Sequence, residues 1–176
     1  MILIDITIIH IKMVKFQFTK IIDVDRDLIF EISTDYKNFT KVLPKYFKNL
    51  EIVESNDNKT IIKETVNFLN RTDTILTEHI IIKPDQHIIT MLDGPAKDSC
   101  FDEIYEKNGS NTKIVINVNF ILHGKLKIIG FFAKKKIQMH MEQVMNEFVS
   151  YAKSLSLIHI SEPTRPERIG CCGMWW

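Results

Sequence analysis

The chain has 176 residues, the length of one ordinary domain with a sizeable core. Its 23 basic and 22 acidic residues leave a formal charge of +1, which excludes a global field able to gather nucleic acid or an anionic membrane surface. Hydrophobic residues make up 45% of the sequence but come in short runs broken by Lys, Asp, Glu or Asn, and no run reaches the roughly 18 apolar residues of a membrane span, so a soluble protein is expected.

Residues 1–12, MILIDITIIHIK, are apolar but carry Asp5, lack a basic start and offer no small-residue cleavage site, unlike a signal peptide. With Met13 as the true start they become an upstream extension; the alternative is an extra edge strand. From Lys15 to Ile22 apolar and polar residues alternate as in a strand. Asp23 and Asp25 then supply helix-start chemistry, and Leu28, Ile29 and Ile32 recur at helical spacing. A second short helix or turn is predicted from Asp35 to Val42, ended by Pro44.

Six short strands follow, predicted at 50–54, 60–68, 72–83, 87–92, 99–106 and 112–122. Turn chemistry separates them at Asn56-Asp57-Asn58, Asn70-Arg71, Pro84-Asp85, Gly94-Pro95 and Asn108-Gly109-Ser110. Consecutive strands with short links imply an antiparallel meander. After Gly124 the period becomes helical, with Ile128, Phe131 or Phe132, Ile137, Met141, Val144, Met145, Phe148 and Ala152 forming an apolar stripe opposite Lys134, Lys135, Gln138, Glu142 and Asn146. A sheet with one apolar face needs a cover, and this long helix supplies it.

The domain is therefore expected to span residues 13–154. Beyond it, Leu155 to Arg165 reads LSLIHISEPTR and resembles a translated sequencing adapter, and the composition shifts towards Pro, Arg, Gly, Cys and Trp. Residues 155–176 are read as a non-native, disordered tail. Of the three cysteines, Cys171 and Cys172 lie in that tail and are sequence neighbours that can hardly bridge each other, which fits a reducing cytoplasm.

The order of one strand, two short helices, six strands and one long helix resembles the START-like or Bet v 1-like superfamily (SRPBCC), including polyketide cyclase-like and coenzyme Q-binding START-like proteins. Ile22, Val24, Ile29, Phe30, Asp35, Tyr36, Phe39 and Pro44 resemble its first strand and helix pair. Gly94-Pro95 and the Met-rich final helix resemble its second half, while Asp25 stands where the family usually starts its first helix with proline. The resemblance implies an α+β helix-grip fold, a seven-stranded curved antiparallel sheet wrapped around the C-terminal helix. It further implies a cavity between sheet and helix for a lipid, quinone, sterol, polyketide or similar apolar molecule; the fold alone does not choose among these.

Candidate polar groups are few. Glu64 shares strand parity with Ile62, Val66 and Phe68, and Glu78 with Leu76, Ile80 and Ile82; if those faces point inward, both carboxylates reach the cavity and can act as bases or hold a polar ligand head. The opposite parity buries Ile61, Ile75 and Ile81 and leaves both glutamates in water, and this is the favoured reading. His79 and His87 are placed to meet across the hairpin around Pro84, but the dispersed histidines, without CxxC or HExxH spacing, argue against a metal. Cys100 on a strand near Asp102 reads as a small core residue rather than a nucleophile, and Asn117 and Asn119 as surface residues.

Met139, Met141 and Met145 suit an adaptable pocket wall and equally an ordinary core, and both readings bury that face. The segment 125–136 places Lys125, Lys127, Lys134, Lys135 and Lys136 around Ile128, Ile129, Phe131 and Phe132, a pattern suited to transient membrane-surface contact or to a solvated helix entrance.

The leading expectation is a non-catalytic intracellular binding or transfer protein, without cofactor, nucleic acid or obligate protein partner. Its small apolar ligand is lined by Phe39, Leu43, Val66, Phe68, Met91, Phe101, Phe120, Met141, Met145 and Phe148. The alternatives are a polyketide cyclase or aromatase-like enzyme using Glu64, Glu78 or His79, and a protein-interaction module of the chaperone-activator kind.

Overall fold

The computed structural model describes residues 12–123 and 133–160. Most of the expected N-terminal extension, Lys125 and Lys127 of the lysine-rich segment, and residues 161–176 lie outside the described residues. Seven strands form one sheet in the order β1-β7-β6-β5-β4-β3-β2: β1 (Lys12–Ile22), β2 (Phe47–Ser55), β3 (Lys59–Phe68), β4 (Arg71–Ile82), β5 (Gln86–Met91), β6 (Cys100–Asn108) and β7 (Asn111–Leu122). Every pairing is antiparallel, and β2, β3, β4, β5, β6 and β7 make the expected meander.

The first strand pairs with the last, so β1 and β2 become opposite edges although they are neighbours in sequence. The connection between them is helical: α1 (Arg26–Thr34), a 3-10 turn (Tyr36–Asn38) and α2 (Phe39–Val42). Asp25 starts α1 as an N-cap whose carboxylate accepts from the amides of Asp27 (2.9 Å) and Leu28 (3.2 Å). It thereby replaces the helix-starting proline of the resembled family with a side-chain cap.

Strand bounds differ from expectation by only a few residues, and each difference has a local cause. Between β3 and β4 the turn residues are Leu69 and Asn70 (φ 51° and 64°), one position earlier than Asn70-Arg71, because a two-residue hairpin of this hand needs both central residues at positive φ. Two register shifts on β2, between Phe47 and Asn49 and between Ile52 and Glu54, bend that edge of the sheet. Gly94 has φ +76°, and a Cβ there would lie 2.7 Å from Ile75 Cγ2, so glycine serves both the backbone and the close approach to β4.

The long helix α3 (Ala133–Ile160) lies against the concave face and buries Ile137, Met145, Phe148 and Ala152. It continues six residues past Ser154, where the disordered tail was expected to begin; 155–160 contains no glycine or proline to stop it, and the next proline is Pro163. Met139 is 50% exposed, which corrects its expected place in the pocket wall: α3 turns it away from Met141 and Met145.

Inward-facing residues from the sheet complete the core: Phe18 and Ile22 from β1, Ile62 from β3, Phe101 and Tyr105 from β6, and Ile114, Ile116, Val118 and Phe120 from β7. Ile137→Ala should lower the unfolding free energy by about 2–5 kcal/mol, since Ile137 is fully buried at the sheet–helix seam. Met139→Ala on the exposed face should stay within roughly 0.5 kcal/mol. Urea unfolding followed by circular dichroism compares the two.

Candidate functional site

Between α3 and the concave face the packing leaves a cavity of about 200 Å³. Nine of the ten expected lining residues border it: Phe39 from α2, Val66 and Phe68 from β3, Met91 from β5, Phe101 from β6, Phe120 from β7, and Met141, Met145 and Phe148 from α3. Leu43 does not; it is 1% exposed and packs within the core after α2. The aromatic wall has two groups, Phe39 edge-on to Phe148, and Phe120 close to both Phe68 and Phe101.

One side of this apolar chamber is polar. Strand parity points Glu64 (β3), Thr77 and His79 (β4), His87 (β5) and Glu103 and Tyr105 (β6) inward, and all six are buried. The register sets His87 directly opposite Glu103. His79 Nδ1 lies 3.0 Å from His87 Nε2, so the two histidines do meet across the β4–β5 hairpin. The Tyr36 hydroxyl, from the 3-10 turn, is 3.3 Å from the same His87 nitrogen.

At one end of the row the Tyr105 hydroxyl donates to Glu103 Oε2 (2.9 Å), and His87 Nδ1 is 3.4 Å from that oxygen without making a hydrogen bond. At the other end Thr77 Oγ1 is 3.0 Å from His79 Nε2, and Glu64 Oε1 is 3.9 Å from it. Glu64 Oε2 has no hydrogen-bond partner.

These positions correct the reading that left both glutamates in water. Glu64 is 4% exposed and borders the cavity, because β3 turns inward the parity that also buries Ile62. Glu78 is in register with Ile61 on the outer face, where it pairs with Lys59, and it has no place in the cavity. Ile75 is buried as expected, but Ile61 is not, since adjacent positions of one strand cannot share a face.

Other expected positions fall outside the chamber. Asn117 lies on the outer face of β7, accepting from Gln17 Nε2 at 2.7 Å and donating to Asp102 at 3.2 Å; Asn119 shares that parity and is half-buried. Cys100 is half-buried on β6, and burial pushes its thiol up, against any role as a thiolate nucleophile. Among the described residues no group of three or more His, Cys, Asp or Glu is arranged to hold a metal ion. No described helix is long and apolar enough to cross a membrane.

Burial shifts the titration of His79, Tyr36 and Tyr105 in and beside the row. It pushes His79 below its ordinary value of 6.5, with the Glu64 carboxylate opposing, and pushes His140 on α3 in the same direction. Tyr36 and Tyr105 are pushed up by burial and by nearby carboxylate charge, so both phenols stay protonated and able to donate. The row can therefore hold a polar ligand group or pass a proton between a carboxylate and a histidine.

Sequence reasoning missed Glu103 and Tyr105. Their signal was present in the inward set Phe101, Glu103 and Tyr105 on β6, where two aromatic residues two positions apart share the parity of the carboxylate. It also missed the fixing of His87 by Tyr36, which depends on a contact between residues 51 apart.

No protein-family model matches the sequence. Uncharacterized protein MG241 of Mycoplasma genitalium is 29% identical over 142 residues, covering 75% of this chain and 22% of that protein. The chain thus spans about a fifth of the length of the curated relatives it matches. Among solved structures, the Zhui aromatase/cyclase of Streptomyces sp. R1128 superposes with a TM-score of 0.71 at 11% identity, over 81% of this chain and 94% of that one. A truncated norcoclaurine synthase of Thalictrum flavum gives a TM-score of 0.64 at 12% identity, over 80% and 94% of the two chains. At such identities the likeness establishes the architecture: the chain has the helix-grip fold of Bet v 1-like proteins.

The depressed value of His79 has a thermodynamic sign. Below pH 6.5 the unfolded chain takes up a proton that buried His79 refuses, so stability falls with pH until the folded histidine also protonates. His140 adds to the same slope. The melting temperature should drop between about pH 7.5 and pH 5.5, and His79→Gln should shrink that drop; an unchanged slope in the variant would show that His79 is not held neutral.

Proposed function

We propose that this domain binds a small apolar molecule in the chamber between the sheet and α3, as a binding or transfer protein. The observation that carries the reading is the cavity of about 200 Å³ with a mostly apolar wall in which Phe, Ile and Met are prominent, inside an otherwise close-packed core. An apolar cavity of roughly 150 Å³ holds benzene, so the chamber suits a compound of one or two rings or a short chain. Burial of apolar ligand area at about 25 cal/mol per Å² drives the binding.

The buried row of Glu64, His79 and His87 favours a second reading, catalysis in the same chamber. The aromatase/cyclase and norcoclaurine synthase neighbours carry enzymes on this architecture, and in a cyclase-like reaction a carboxylate or histidine here would move the proton. For the interaction-module reading the described surface gives less support, because exposed large apolar side chains are scattered over β1, β2, β4 and α3. Transient membrane contact would be seated at Lys134, Lys135 and Lys136, all exposed at the start of α3.

The test is titration of the full chain with toluene by calorimetry, beside a Val66→Trp variant that fills the chamber from β3. Saturable binding to the wild type, weakened at least tenfold in the variant, is the expected result. A wild-type chain that takes up no one-ring compound sinks the proposal.

A further inference from the structure

We propose that the molecule held in this chamber is an amine, its protonated nitrogen hydrogen-bonded to Glu64 Oε2. The inference rests on the ligand-binding reading above and adds the chemical class of the ligand.

Glu64 is 96% buried by the complement of its 4% exposure, borders the cavity, and has one carboxylate oxygen without any donor. Buried polar atoms in native proteins are nearly always paired, so an orphaned carboxylate oxygen facing an internal space points to a donor brought from outside.

The surrounding protein donors are committed elsewhere. The Tyr105 hydroxyl is given to Glu103, the Ser33 hydroxyl to the carbonyl of Phe30, and the Thr77 hydroxyl lies between the carbonyl of Ile62 and His79 Nε2. The two histidines face each other through Nδ1 and Nε2, which leaves Glu64 outside their contact.

Charge narrows the choice among donors. Around the chamber stand the carboxylates of Glu64, Glu103 and Asp73. Arg71 is the one lining Arg or Lys among the described residues, and its guanidinium is turned to Asp73 at 3.4 Å. Burial pushes His79 and His140 towards their neutral forms, and the remaining lining histidine, His87, turns its Nδ1 to Glu103 at 3.4 Å rather than to Glu64.

A ligand hydroxyl would satisfy the hydrogen bond of Oε2 but not the charge. A ligand carboxylate would be repelled by Glu64 and Glu103. An ammonium group meets both demands, because a charge-assisted N–H donor to a carboxylate is the stronger kind of hydrogen bond, while the apolar body of the molecule fills the phenylalanine and methionine wall.

A matched series on one skeleton tests this: toluene, benzyl alcohol, benzylamine and phenylacetate, titrated at neutral pH into the full-length chain and its Glu64→Gln and Glu78→Gln variants. Benzylamine should bind at least tenfold more tightly than benzyl alcohol or toluene, with phenylacetate weakest. Glu64→Gln should remove that advantage and leave toluene within about twofold, while Glu78→Gln, on the outer face, should change nothing.

If toluene binds as tightly as benzylamine, the ligand-binding reading stands and the amine assignment falls. If none of the four binds, both fall. The wild-type series decides between these even should Glu64→Gln not fold, and an amine preference that survives in a folded Glu64→Gln would overturn the role of Glu64.

Discussion

An antiparallel sheet of seven strands can hide only one of its faces under a single helix, and here that face is concave. The seam where Ile137, Met145, Phe148 and Ala152 of α3 meet the inward residues of β1, β6 and β7 is the contact on which the rest depends. Two of these residues, Met145 and Phe148, also border the chamber. A helix pressed fully into a curved surface touches it at the rims first, and the volume left beneath is bounded by whatever the strands present there. In this chain the strands present phenylalanines on one side and a carboxylate–histidine row on the other.

The row is costly by the ordinary rules of burial. A buried polar atom left without a partner costs about 1–3 kcal/mol, and of the three such atoms among the described residues one is Asn119 Oδ1 on β7 and two, Glu64 Oε2 and His87 Nδ1, lie in the row. Its remaining contacts are well made: Tyr105 to Glu103, His79 to His87, and Tyr36 to His87. Local rules are obeyed nearly everywhere else in the domain, in the Asp25 cap, the Leu69-Asn70 turn and the glycine beside Ile75. Two unpartnered buried atoms falling in one row inside a consistent fold is the pattern expected of a functional site.

Much of the architecture was legible because it is written in short-range signals. Asn56-Asp57-Asn58 and Asn108-Gly109-Ser110 mark their hairpins, the stripe from Ile137 to Ala152 marks α3, and the strand order follows from short links. The cavity wall was legible for the same reason, since large apolar residues at inward parity have few other places to go.

The polar row was harder. On β3 and β4 both parities carry apolar residues, so Ile61 and Ile62 compete for the interior, and only the pairing of Ile62 with Thr77 decides that Glu64 goes in while Glu78 goes out. Likewise His87 meets Glu103 through a register no single strand encodes. The end of α3 was misjudged because a change in sequence character at Leu155 is not a change in helix propensity.

The pairing of β1 with β7 joins Lys12 to Leu122 and Ile22 to Thr112. Ninety or more residues separate these partners, and loops of that length close slowly because their entropy must be lost before the contact rewards it. During synthesis the first strand emerges long before β7, its neighbour among the described residues, so the hairpins from β2 to β6 can form early while β1 waits for that partner. The chamber needs β7 and α3 for its walls, so the domain can acquire its interior only after both have been made.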